Sequence, residues 1–218
     1  MFNFIIYLYL TAVAFSFGYS LYGFFNSFPV RFRQFSVFLG LTLVVEVMGN
    51  LVFHALHIKG IYRNEMYNVF ALIEFLFYTF FLFRLNKIQW IRQIQIAFMI
   101  IFPITWVFLV FDRTSIFQFH GSLIAIGGFF IVCFALAHLY FLSANAETQN
   151  IFRIPEFWIS IGLVLFYCSQ TPYMGAMAYL VKYHLALAGS LLYFSIVINT
   201  IMYCLFGYAF ICQKKNSS

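Results

Sequence analysis

Charge is what this sequence has least of: Asp, Glu, Lys and Arg make up only 8% of its 218 residues, against about 25% in a soluble domain. So little charge cannot coat a globule, which excludes an ordinary soluble enzyme or binding domain. Acidic residues are the scarcer sign, six against twelve basic ones, yet the cations are spread over several loops and make no basic run interleaved with aromatics. A nucleic-acid partner is therefore excluded, and topology with anionic headgroups accounts for the formal charge of +6. The four cysteines, Cys133, Cys168, Cys204 and Cys212, lie in or beside apolar stretches without CxxC spacing. Neither a disulfide framework nor a thiolate metal site is indicated. Gly-rich phosphate loops, HExxH and GxSxG are missing, so no catalytic motif is present. The last apolar run has no interior Lys for a retinal Schiff base, and no cofactor is implied.

What the sequence has in quantity is apolar length. Hydrophobic residues make up 64%, in runs that match a hydrocarbon core of roughly 30 Å at about 1.5 Å per helical residue. Seven spans are predicted, at about 2–24, 36–58, 67–84, 91–111, 118–142, 155–180 and 183–212, with a short tail at about 213–218. The runs do not alternate apolar with polar, which excludes a transmembrane β-barrel. The fold class is all-α: one polytopic transmembrane bundle of seven helices, with six or eight spans as the neighbouring counts. No Lys or Arg precedes Arg31, so the first run is expected to remain as a span and not to be a cleavable signal peptide.

Seven spans with the N-terminus outside put Arg31, Arg33, Arg84, Lys87, Arg92, Arg153, Lys214 and Lys215 on the cytoplasmic side. Only Lys59, Arg63, Arg113 and Lys182 fall outside. That asymmetry predicts a cytoplasmic C-terminus.

Glu46, Asn50, His54 and His57 fall within roughly 80° of one another on a helix and form one stripe on span two. A polar turn, Lys59 to Met66, is expected to lead into span three, where Tyr67, Ala71, Glu74 and Tyr78 share a face. An ionised carboxylate at that depth costs at least about 2.5 kcal/mol. Glu46 and Glu74 are therefore expected to be protonated, paired or hydrated, with Glu74 at the depth of Asn50 and able to bond Asn50 or Tyr78. Gly127-Gly128 predicts a close helix crossing, Pro103 a kink, and Trp106 a place in the outer headgroup belt. Pro155 suits the first helical position, with Glu156 explained by the helix dipole. In span six, Ser169-Gln170-Thr171-Pro172-Tyr173 interrupts the apolar run, a polar proline break of the kind that either lines a cavity or satisfies itself.

Two stretches carry a resemblance. Pro155-Glu156-Phe157-Trp158-Ile159-Ser160-Ile161-Gly162-Leu163-Val164-Leu165-Phe166-Tyr167, with Asn68-Val69-Phe70-Ala71-Leu72-Ile73-Glu74-Phe75 before it, resembles small multi-pass inner-membrane proteins of Bacteroidota. That family has no assigned function, so the resemblance implies a bacterial multi-pass protein resident in the cell (inner) membrane and carries over no catalytic residue.

Three functions fit these residues. The first is a receptor-like sensory or interaction module: Glu46, Asn50, His54, Glu74, Tyr78 and Gln170 would line a small outer-half polar cavity that takes a proton or a ligand. The bilayer would be its solvent, with a membrane or cytoplasmic signalling partner or a second copy as reader. The second is a proton-coupled transporter or channel in which Glu46 and Glu74 titrate. The third is an intramembrane metal hydrolase using His54, His57, His120 and His184. Seven-span hydrolases similar to alkaline ceramidases and adiponectin receptors use histidines so, but they carry a His-x3-His on the last span where this chain has only His184.

Overall fold

A chain in hydrocarbon has no water to satisfy its peptide groups, so each apolar run must close its hydrogen bonds within itself. The computed structural model, which describes residues 2–25, 28–55, 60–110, 120–144 and 150–217, is accordingly helical, with no strand among the described residues. The helices are α1 (Phe2–Phe25), α2 (Val30–Val47), α3 (Gly60–Leu85), α4 (Gln89–Val110), α5 (Gly121–Ala144), α6 (Pro155–Tyr183) and α7 (Leu185–Ser217). Helix α2 runs on through a π-helical turn, Met48–Val52, into a last α turn, Phe53–Ala55. Six of the helices are long and apolar enough to cross a membrane, and α6 is the one left out. It is 29 residues long, but the polar run Ser169–Tyr173 dilutes its hydropathy. Packed along both α5 and α7, it completes a bundle of seven.

Helix ends lie beyond the predicted spans where polar residues continue the coil. Helix α2 starts at Val30, directly after Pro29, so Arg31, Arg33 and Gln34 form its first turns. Helix α3 starts at Gly60, which makes most of the expected Lys59–Met66 turn helical. The expected tail is helical as far as Ser217. Hydropathy marks entry into hydrocarbon, whereas the backbone ladder persists through the headgroup region.

Arg31, Arg33, Arg84, Lys87, Arg92, Arg153, Lys214 and Lys215 belong to one end of the bundle, where side chains fix the helix register. Arg84 Nη1 donates to Gln34 Oε1 at 2.7 Å, tying the end of α3 to the start of α2. Arg31 and Glu156 form an ion pair between the first turns of α2 and α6. Glu156 therefore does more than complement the dipole of its own helix: it is a buried partner for a cation on another. Nearby, His138 Nδ1 and Ser160 Oγ lie 2.9 Å apart and join α5 to α6. Lys214 sits over the Tyr22 ring at 4.1 Å, which brings the end of α7 to the end of α1.

Between this end and the middle of the bundle the interior is aromatic. Phe35 is fully enclosed, with ring centroids of Phe81 at 5.0 Å and Phe206 at 5.1 Å, edge-on. Phe38 stacks on Phe77 at 4.1 Å. Trp106, expected at the headgroups, is instead 0% exposed and packs on Phe102 and Phe75. Its indole ring is large enough to fill the α3–α4 interface, and that packing decides its place.

Gly127 and Gly128 make the close crossing predicted for them. A Cβ at Gly127 would meet the Phe75 ring at 2.9 Å, and one at Gly128 would meet Thr171 Oγ1 at 2.7 Å and the Tyr167 ring at 2.9 Å. Gly128→Val should destabilise the protein by about 1–3 kcal/mol through overpacking, measurable as a lower unfolding midpoint in detergent. An unchanged midpoint would mean that α5 and α6 separate freely there.

Candidate functional site

Thr42, Glu46 and Asn50 recur every fourth residue along α2 and so present one face. At Met48–Val52 the helix widens: the Phe53 N–H reaches back five residues to the Met48 carbonyl. A π turn inside a long helix recurs at functional sites because it re-aims side chains at a cost to the regular ladder. Here it carries Asn50. The amide of Asn50 donates to the Glu46 carbonyl at 3.1 Å and to Glu46 Oε2 at 2.8 Å. From α3, the Tyr67 hydroxyl donates to the same Oε2 at 3.2 Å and lies 3.4 Å from the Asn50 amide nitrogen. Gly49 makes room for this approach, since a Cβ there would overlap the Tyr67 hydroxyl and ring.

Around this triad stand buried tyrosines from other helices. Tyr9 on α1 has its hydroxyl beside the Glu46 carboxyl, without ordinary hydrogen-bond geometry. Its ring lies 5.8 Å from that of Tyr203 on α7, whose carbonyl accepts from Ser16. Glu74 accepts from the Tyr167 hydroxyl of α6 at 3.0 Å. Tyr78 is fully buried, with its ring edge-on to that of Tyr167 at 6.2 Å. One cluster of two carboxyls and five tyrosines thus joins α1, α2, α3, α6 and α7. Glu46, Asn50, Tyr67 and Glu74 keep partial exposure, whereas Tyr9, Tyr78, Tyr167 and Tyr203 are buried.

The register explains which groups meet. Counting up from the Arg84–Gln34 bond at about 1.5 Å per residue, Glu46 stands roughly 18 Å along α2 and Glu74 roughly 15 Å along α3. Asn50 and Tyr67 are both near 25 Å by the same approximate count. Glu46 and Glu74 are therefore level, while Asn50 faces Tyr67. The expected pairing of Glu74 with Asn50 or Tyr78 is replaced by Tyr167. That expectation took Gly60–Met66 as a turn, and counting depth from it misplaced α3 by about two helical turns.

The other predicted residues are dispersed. Gln170 is buried on α6 and donates to Ser195 Oγ on α7, facing a separate cleft. The His54 side chain and the whole of His57 lie outside the described residues. His120 precedes α5, its carbonyl accepting from the Ile124 N–H at 3.1 Å. His184 joins α6 to α7, its ring 5.6 Å from Tyr179. Among the described residues no group of three His, Cys, Asp or Glu side chains could hold a metal ion. Tyr9, Tyr167 and Tyr203 belong to the cluster and carry no sequence signal, being three among 15 tyrosines.

Chemically, a carboxylate that accepts from an amide and a phenol becomes a weaker acceptor when it takes up a proton, so both partners' bonds weaken and the phenol hydroxyl must rotate to accept in its turn. In apolar surroundings the change of charge is worth far more than in water. The cluster is thus suited to coupling a proton to helix packing. Comparison with protein-family models, curated proteins and solved structures finds no match for this chain, so its site is read from its own geometry.

Proposed function

We propose that this multi-pass membrane protein is a receptor-like sensory module in which proton uptake at Glu46 and Glu74, or a small polar ligand replacing their partners, resets the packing of α2. The observation that carries the reading is the π turn at Met48–Val52, whose Asn50 bonds both the backbone and the carboxyl of Glu46. Breaking those bonds lets the extra residue leave the turn, and a π turn that relaxes to α rotates the far end of α2 by roughly 100°. Below the turn, the rings of Phe35, Phe38, Phe77, Phe81 and Phe206 fill the interior. Such a plug supports sensing over conduction. With the basic end in the cytoplasm and the N-terminus outside, as expected of an inner-membrane protein of the Bacteroidota type, the rotation would be read by a partner at the inner loops or by a second copy.

The test is hydrogen exchange on the full chain in nanodiscs across a pH series. Exchange in the 48–55 segment should change with pH in the native protein and be fixed in Glu46→Gln, while Tyr67→Phe shifts it at every pH. A segment insensitive to pH in all three would remove the proposal. Proteoliposomes that leak protons, and stop doing so in Glu46→Gln, would replace sensing with transport.

A further inference from the structure

We propose that the basic surface where α3 turns into α4 binds one anionic phospholipid, its headgroup phosphate held by Arg84 and Arg92 and its acyl chains laid along α3. Aromatic rings place the two guanidiniums: Arg84 Cζ lies 4.7 Å from the centroid of the Phe80 ring, and Arg92 Cζ lies 4.6 Å from that of Phe83. Phe80 and Phe83 are three apart on α3 and so are neighbours on its surface, which puts both cations in one patch. Lys87, exposed in the link between the helices, adds a third. Gln34 of α2 accepts from Nη1 of Arg84 alone. A guanidinium held over a ring, and not by a carboxylate, keeps donors at its edge for a phosphate, which accepts from them in pairs.

What the patch lacks identifies its partner. The sequence has no Asp or Glu between Glu74 and Asp112, and no carboxylate pairs with Arg84, Lys87 or Arg92 among the described residues. Three cations on one patch repel one another, and a net anion relieves this where the ammonium of a zwitterionic headgroup would oppose it. Depth then favours a lipid over a soluble phosphate ester. Trp90, 61% exposed between Lys87 and Arg92, suits the headgroup level. From Arg84 a row of exposed side chains, Phe80, Ile73 and Val69, runs along one face of α3 at helical spacing. Headgroup and chains thus meet one continuous surface, cationic at its end and apolar along its length. None of these residues belongs to the carboxyl–tyrosine cluster, so the site stands whether or not that cluster senses protons.

The experiment is native mass spectrometry of the full chain, titrated in detergent with phosphatidylglycerol and with phosphatidylcholine of the same acyl chains. The first phosphatidylglycerol should bind saturably and about tenfold more tightly than the first phosphatidylcholine, the worth of one hydrogen bond to a charged group. Arg92→Lys keeps the charge but loses the paired donors, and should remove most of that preference; with Arg84→Lys added, none should remain. Arg92→Lys alone is an exposed change, and it carries the test if the double variant does not fold. Lys214→Ala with Lys215→Ala takes two charges from the same end of the bundle and should leave the preference intact. Glycerol phosphate at the same concentration should not displace the lipid. Equal binding of the two lipids would leave no anion site. A preference that survives Arg92→Lys, or that is lost as fully with Lys214 and Lys215, would mean diffuse attraction to the whole basic end. Displacement by glycerol phosphate would make a soluble ester the occupant, and any one of these results overturns the proposal.

Discussion

Phe35→Ala is expected to lower the unfolding free energy by about 3 kcal/mol, the low end of the range for a large ring removed from an enclosed core. The low end applies because the separated helices are still in hydrocarbon, so the transfer term largely drops out and lost packing remains. That packing is extensive: besides Phe81 and Phe206, the ring meets Phe77 at 5.5 Å and Phe210 at 6.1 Å, joining α2, α3 and α7. With no exposure at Phe35, lipid cannot refill the space. Phe35→Leu should cost less than half as much. Steric-trapping or detergent unfolding would measure both, and a loss of under about 1 kcal/mol for the alanine variant would mean that the neighbouring rings collapse into the void.

The second large effect concerns the Arg31–Glu156 pair, and its two halves should differ. Removing one partner of a fully buried pair costs about 3–5 kcal/mol because a charge is left uncompensated. The side chain of Glu156 is 7% exposed and that of Arg31 41%. Arg31→Ala strands the buried carboxyl and should cost about 3 kcal/mol; Glu156→Ala leaves a guanidinium that water can reach, at about 1–2 kcal/mol. Glu156→Gln should be milder still, since the amide oxygen continues to accept from Arg31. In the double variant, Arg31→Ala with Glu156→Ala, the losses should fall short of their sum, as for residues that share one interaction. Strict additivity would show that the pair contributes nothing as a pair.

How much of this was legible beforehand differs from residue to residue. The Gly127-Gly128 crossing was readable because a pair of side-chain-free positions in an apolar run has few other uses. Glu46 with Asn50 was readable because residues four apart on one helix meet whatever surrounds them. Trp106 was not: an indole suits the headgroup belt and an interhelical core equally well, and only neighbouring bulk decides. Glu156 was half-readable, its place in the first turn of α6 being local while its cation comes from α2.

Composition and run length by themselves determined that the chain is a bundle of about seven helices in a bilayer, since a peptide group in hydrocarbon must find its partner within its own segment. Which hydroxyl meets which carboxyl was decided only in three dimensions. Tyr67 and Tyr167 look like any other of the tyrosines until the register between helices is set, and the Arg84–Gln34 bond at one end and a single extra residue in the π turn at the other set it. Each helix can rotate or slide against lipid at little cost, so its final place depends on side chains far away in the chain, which no local pattern records.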